Sequence, residues 1–167
     1  VTDRYREALR PFGIFDEVAD RWLHLTMQGI GFADVVPDEQ LQRIAVAAQE
    51  ATRGMASVDI TLPAPEVGTE GVFFPVDPWV ELQGVRLAVR SAVVDVLGSA
   101  EGAAETFWPH ISVAYCHAEA PTEPVLRAVE AIAAPVVRAA VSHVDLILLG
   151  RDQRRYQWET VARLTLT

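Results

Sequence analysis

Two short runs in this chain combine a residue that can move protons with a residue that can hold an oxyanion: His24-Leu25-Thr26-Met27 and His110-Ile111-Ser112-Val113. Each lies in an apolar stretch that predicts a strand, Trp22 to Met27 and Trp108 to Tyr115. Side chains alternate across a strand, so His24 shares a face with Thr26, and His110 with Ser112. Leu25, Met27, Ile111 and Val113 take the opposite, packing face. Pro109 is tolerated as the first residue of such a strand and biases Trp108 toward an extended backbone. A lone histidine in an apolar strand is ordinarily structural, and it is the second copy that points to chemistry.

The chemistry that fits a doubled His-x-Thr/Ser is phosphodiester cleavage. It needs a base to deprotonate the attacking oxygen and an acid to protonate the departing one on the far side of phosphorus. Two imidazoles can share those tasks, since the ordinary histidine pKa near 6.5 lets one be neutral while the other is charged. The Thr26 and Ser112 hydroxyls can donate to the non-bridging oxygens, where transition-state charge must be held. His24 and His110 are thus the candidate acid and base, and Thr26 and Ser112 the candidate phosphate ligands.

Holding two such strands face to face requires a scaffold, and the flanking sequence supplies one twice. Residues 3 to 10 predict a short helix stopped near Pro11 and Gly13, before the first histidine strand and the Gly29-Ile30-Gly31 segment. A helix follows from Asp38 to Arg53, with Leu41, Ile44, Ala45 and Ala48 at helical spacing and Gly54 as its stop. Val58 to Leu62 alternates as a half-buried strand, Val72 to Val76 predicts another, and antiparallel pairing of these two is expected. The longest helix is predicted from Pro78 to Leu97, stopped by Gly98; residues 99 to 106 then link to the second histidine strand. Thr122 reads as the N-cap of a helix ended by Pro135. Two strands, Arg138 to Leu149 and Tyr156 to Leu166, close the chain. His24 and His110 are 86 residues apart, while Pro37 and Pro121, and Val58 and Ser142, are each 84 apart, so a structural duplication is inferred.

With these motifs and this element order, nearly the whole chain resembles the two-histidine (2H) phosphoesterase superfamily, and within it the 2′-5′ RNA ligase-like proteins. Their signature is two copies of His, hydrophobic, Thr or Ser, hydrophobic. The resemblance implies an α+β, bilobal, duplicated fold, with two antiparallel β-sheets flanking a central cleft and helices on the outer faces. It implies hydrolysis or transesterification of 2′-5′ or 2′,3′-cyclic phosphodiesters on RNA ends or small nucleotides, with no cofactor and no obligatory metal. The chain departs from many members in having a helix-like stretch, not a strand, before the first motif.

With 167 residues, half of them hydrophobic, a single domain over 1–167 is expected, with lobes at about 14–98 and 99–167 that could exchange strands. No apolar run is long enough to span a membrane and no segment reads as a signal peptide, so a cytoplasmic protein is the expectation; the sequence leaves the oligomeric state open, with a monomer favoured. A net charge of −9 disfavours coating a long duplex and suits a small nucleotide or an RNA end. Arg151, Arg154 and Arg155 form a local cationic cluster that could hold phosphate or simply make a charged loop. The single cysteine, Cys116, excludes a Cys-rich zinc site and reads as structural. His117 and His143 read as structural or exposed. Trp22, Phe73, Phe74, Tyr156 and Trp158 could stack a base, although core packing is the simpler role for each. A non-catalytic nucleotide or RNA-end binding module is the rival reading; plain core strands are a third.

Overall fold

The computed structural model describes residues 1–150 and 156–167, so Arg151, Arg154 and Arg155 lie outside the described residues. The elements in chain order are α1 (Thr2–Leu9), β1 (Phe15–Glu17), α2 (Asp38–Ala51), β2 (Val58–Leu62), β3 (Glu66–Gly68), β4 (Gly71–Pro75), α3 (Trp79–Leu97), β5 (His110–Cys116), α4 (Thr122–Glu130), β6 (Val137–Val141), β7 (His143–Gly150) and β8 (Gln157–Thr165). The fold is α+β, and every strand pair among the described residues is antiparallel. One sheet runs β1-β5-β4-β3; β2 pairs with β6, and β7 with β8. Strands from before and after Gly98 are therefore mixed in both of the first two sets. The sequence motif–helix–strand occurs twice, as first motif–α2–β2 and β5–α4–β6, and the equivalent strands β2 and β6 pair with each other, as halves related by an approximate twofold would.

The helices follow their apolar spacing. Leu82, Val85, Val89 and Val93 bury one face of α3, and Gly98 ends it in the left-handed conformation at φ 79°. Tyr5 and Leu9 of α1 are fully buried, with Tyr5 packed edge-on against Phe74 of β4, and Val125 and Val129 of α4 join the same core. Thr122 is the first helical residue and not the cap: Pro121 holds the N-cap position, and α4 ends at Glu130, short of Pro135.

Three further expectations are corrected. Trp22 to Met27 is not a strand. Trp22 closes a short 3-10 turn from Asp20, and the following motif is extended with a single bridge, at Leu25. The strands β2 and β4 do not pair, because β4 turns back onto β3 on one edge and receives β5 on the other; β2 is bridged to this region at Thr61–Asp77. The predicted Arg138–Leu149 strand is broken at Ser142, on either side of which β6 serves β2 and β7 serves β8.

On the β7–β8 hairpin, Arg163 Nε and Nη2 donate to the two Asp145 carboxylate oxygens, each at 2.7 Å. These hydrogen bonds, opposed by partial burial and aided by the Arg163 and His143 charges, hold Asp145 below the usual carboxylate range. A carboxyl depressed on folding stabilises above its unfolded pKa of about 4, and that contribution is lost as pH falls through the lower folded value. Arg163 is well exposed, so the effect is small: Asp145→Asn is expected to lower the melting temperature at pH 7 by no more than about 3 °C. The gap from the parent protein should narrow as the pH of the melt is taken down from 7 through the acid range and Asp145 becomes protonated in the folded state.

Candidate active site

The site is organised by one backbone contact, the antiparallel bridge between Leu25 and Ile111. Its register sets His24 opposite Ser112 and Thr26 opposite His110. Leu25 and Ile111 pack on the core, so the four chemical side chains belong to the other face. The arrangement has twofold character, each histidine facing the hydroxyl of the other motif. The same edge of β5 carries β1 further along, with Val18 N–H donating to Val113 O at 2.8 Å between the two contacts.

Because the first motif lacks a ladder, side chains of α3 hold it in place. Arg86 is 5% exposed and donates to three carbonyls: Nε to Met27 at 3.1 Å, Nη1 to Ala104 at 2.7 Å and Nη2 to Ala103 at 3.0 Å. Arg90 donates to Gln28 Oε1 at 3.2 Å and to Glu101 O at 2.8 Å, and the Gln28 amide donates to Gly29 O and Glu101 O. Two arginines thus buckle the segment after Thr26 to the linker before β5. Burial first, then the neighbouring Arg90 charge, lower the Arg86 pKa from its ordinary value, while Glu105 opposes them. Arginine remains charged at any pH a folded protein survives. The first motif, His24 and Thr26 included, lines a cavity of about 680 Å³ whose other walls are mainly aliphatic side chains of α2, β6, β7 and β8 such as Ile44, Ala48, Val144 and Leu164.

Both imidazoles are anchored in the same way. His24 Nδ1 lies 2.8 Å from Trp22 O, and His110 Nδ1 lies 3.0 Å from Trp108 O. A carbonyl only accepts, so Nδ1 carries the proton in each, and Nε2 is left as the atom that gains or loses one. Aromatic rings pack around both. His24 meets Tyr156 at 5.6 Å and Trp158 at 5.3 Å between centroids; His110 meets Trp108 at 4.7 Å and Phe73 at 5.4 Å. Ser112 is buried at 7% exposure, whereas Thr26 is exposed.

One member of this face is hidden from strict alternation. Phe73 pairs with Ser112 but Val72 with Ala114, so Val113 is an extra, bulged residue, and Val113 and Ala114 are both fully buried. The bulge brings Tyr115 to the face of His110 and Ser112, where simple parity would put it opposite. Tyr115 stacks on Tyr156 at 4.5 Å, and Tyr156 in turn borders His24. Gly71 sits across from Tyr115, where a Cβ would run into the Ala114 carbonyl oxygen; no side chain fits there.

Phe74 is core, and Trp22 packs on Trp158 at 4.8 Å. Cys116 is half-buried, with Sγ donating to Ala118 O at 2.8 Å. His117 lies 3.6 Å from Asp16, and His143 lies 3.9 Å from Asp145.

Residues 3–153, most of the chain, match the sequence pattern of the 2′-5′ RNA ligase superfamily. The chain belongs to that superfamily. No curated protein sequence matches it. Among solved structures it is similar to TT0787 of Thermus thermophilus, at 20% identity and a TM-score of 0.77, covering 99% of this chain and 89% of that one. It is also similar to Escherichia coli LigT in apo form, at 18% identity and a TM-score of 0.68 over 99% and 90% of the two chains. LigT complexed with 3′-AMP gives 17% identity and a TM-score of 0.67 over 100% and 93%. At these identities the likeness is one of fold, and it covers both lobes of this 2′-5′ RNA ligase superfamily member. The helix-like departure before the first motif is real, as α1, and a strand does follow it, the three-residue β1. Among the described residues no helix is long and apolar enough to cross a membrane.

Proposed function

We propose that this superfamily member is a metal-independent phosphoesterase, acting on 2′,3′-cyclic or 2′-5′ phosphodiesters of RNA ends or small nucleotides. His24 and His110 are its acid–base pair, and Thr26 and Ser112 hold the phosphate. The observation that carries this reading is the Leu25–Ile111 bridge, which sets two His-x-hydroxyl motifs antiparallel with both Nδ1 atoms tied to backbone. On a cyclic phosphate, one Nε2 takes a proton from water as its oxygen bonds to phosphorus. The other Nε2–H gives its proton to the departing ribose oxygen as that P–O bond breaks, leaving a monoester. On a 2′-5′ linkage the adjacent 3′-hydroxyl takes the place of water, a 5′-hydroxyl departs, and the product is the cyclic phosphate. Reversal exchanges the histidines' roles. LigT, similar in fold, has been crystallised with ATP, NADP+, phosphate and 3′-AMP, which supports a nucleotide-sized substrate here.

The test is turnover of 2′,3′-cyclic nucleotides and 2′-5′ dinucleotides in excess chelator. Cleavage of at least one is expected, and Ser112→Ala and Thr26→Ala should each lower kcat/KM by about 10- to 100-fold, as loss of one oxyanion donor does. Activity abolished by chelator contradicts the mechanism. Binding without turnover moves the protein to the nucleotide-binding module reading.

A further inference from the structure

Beside His110 a second depression, of about 450 Å³, opens between the start of α3 and the approach to β5. Trp79 and Trp108 line it and are 50% and 56% exposed, an unusual display for two tryptophans. Phe107, Asp77 and Glu105 complete its character. Five of the nine lining residues have no backbone N–H to offer. Pro63, Pro75 and Pro109 have no N–H, the Val76 N–H is taken by Pro109 O at 3.2 Å, and the Asp77 N–H by Thr61 O at 3.0 Å. The lining thus offers aromatic planes and acceptor-only carboxylates, with the indole N–H groups as its side-chain donors.

Two carboxylates in a chain of net charge −9 repel a phosphate, so the groove does not take the phosphoryl group itself. A flat ring bearing amino donors suits it: it stacks on indole and gives its N–H groups to Asp77 and Glu105. Continuity with the site fixes which ring this is. Trp108 borders the groove, its ring lies 4.7 Å from His110, and its carbonyl accepts from His110 Nδ1.

We propose that the groove between Trp79 and Trp108 seats a nucleobase attached to the scissile phosphate, and that Asp77 and Glu105 select amino-bearing bases over uracil. Adenine, cytosine and guanine each present an exocyclic amine. Uracil presents two carbonyl oxygens around a single N–H, so it has one donor to offer where an amine has two. The proposal rests on the phosphoesterase reading for its attached phosphate and on the groove alone for its base.

The test has two arms. In the first, kcat and KM are measured on the four 2′,3′-cyclic nucleotides for the parent, Trp79→Ala and Glu105→Gln. The parent should disfavour the uridine substrate by about tenfold or more in kcat/KM. Trp79→Ala should raise KM for the others about tenfold, in keeping with loss of a base stack, while shifting kcat much less. Glu105→Gln, whose amide can donate to a uracil carbonyl, should narrow the discrimination. In the second arm, adenosine and uridine, which have no phosphate to cleave, are titrated calorimetrically into the parent and Trp79→Ala. Adenosine should bind more tightly than uridine, and Trp79→Ala should weaken it. Equal adenosine affinity in the parent and Trp79→Ala, or equal kinetics on all four substrates, overturns the proposal even if the enzyme is active. Trp79-dependent adenosine binding with no turnover of any diester upholds the base site and instead defeats the phosphoesterase reading. Both variants replace exposed side chains, and melts confirm that they fold.

Discussion

His24→Ala and His110→Ala are each expected to lower kcat on a cleaved substrate by about 10³- to 10⁴-fold, with the double variant little worse than either single one. The size follows from what each imidazole does. Losing the base leaves water or a ribose hydroxyl to attack with its proton in place, and losing the acid forces an alkoxide to leave. Each loss raises the barrier by about 4–6 kcal/mol. Non-additivity follows because both proton transfers belong to one displacement at phosphorus. Stability should change by less than about 2 kcal/mol, since each half-buried ring makes one backbone hydrogen bond and two aromatic contacts. The check is single-turnover kinetics beside thermal melts. A folded variant that keeps more than a tenth of the parent rate removes that histidine from the mechanism.

Arg86→Met should be the most damaging change away from the reacting atoms. The guanidinium is buried on the inner face of α3 and satisfies Met27, Ala103 and Ala104 carbonyls together, and the thioether replaces none of those donors. Hydrogen bonds to charged groups and buried acceptors left bare are worth on the order of 1–3 kcal/mol each, and with partial rehydration a loss of about 3 kcal/mol is expected. For a chain of this length that lowers the melting temperature by roughly 6–12 °C. Activity should fall as well, by about 10- to 100-fold at a temperature where the variant is folded. The carbonyl released at Met27 immediately follows Thr26, and catalysis is steep in the position of its groups. Arg86→Lys has one point charge in place of a planar fork and should recover only part of either loss. An Arg86→Met protein that melts like its parent and turns over at the parent rate shows that the first motif holds itself.

The sequence was most informative where structure is local. The periodic apolar stripes place α2 and α3 within a few residues, and the repeated His-x-Thr/Ser marks the four side chains that the Leu25–Ile111 register sets on one face. Pairing partners were not legible, because alternation in β2 and β4 says that each buries one face and nothing about which strand lies beside it. The missing hairpin partner was the short β3, tucked behind Pro63-Ala64-Pro65. Nor could parity place Tyr115, since the bulge at Val113 depends on how β4 and β5 meet. The clamp on the first motif did leave a trace. In the series Leu82, Val85, Arg86, Val89 a charged residue falls on an apolar helical stripe, and a charge there must be held by something. Trp108 was read as a strand boundary, and its place between His110 and an open groove appears only when Trp79 is brought beside it.

The most direct test of the two-histidine mechanism is the pH dependence of kcat/KM on the best-cleaved diester, measured with chelator present throughout. One Nε2 must start bare and the other protonated, so the profile should be bell-shaped, falling on the acid side as the base takes up a proton and on the alkaline side as the acid loses one. A rate that climbs without a maximum toward high pH, or that needs an added metal ion to appear, would contradict it.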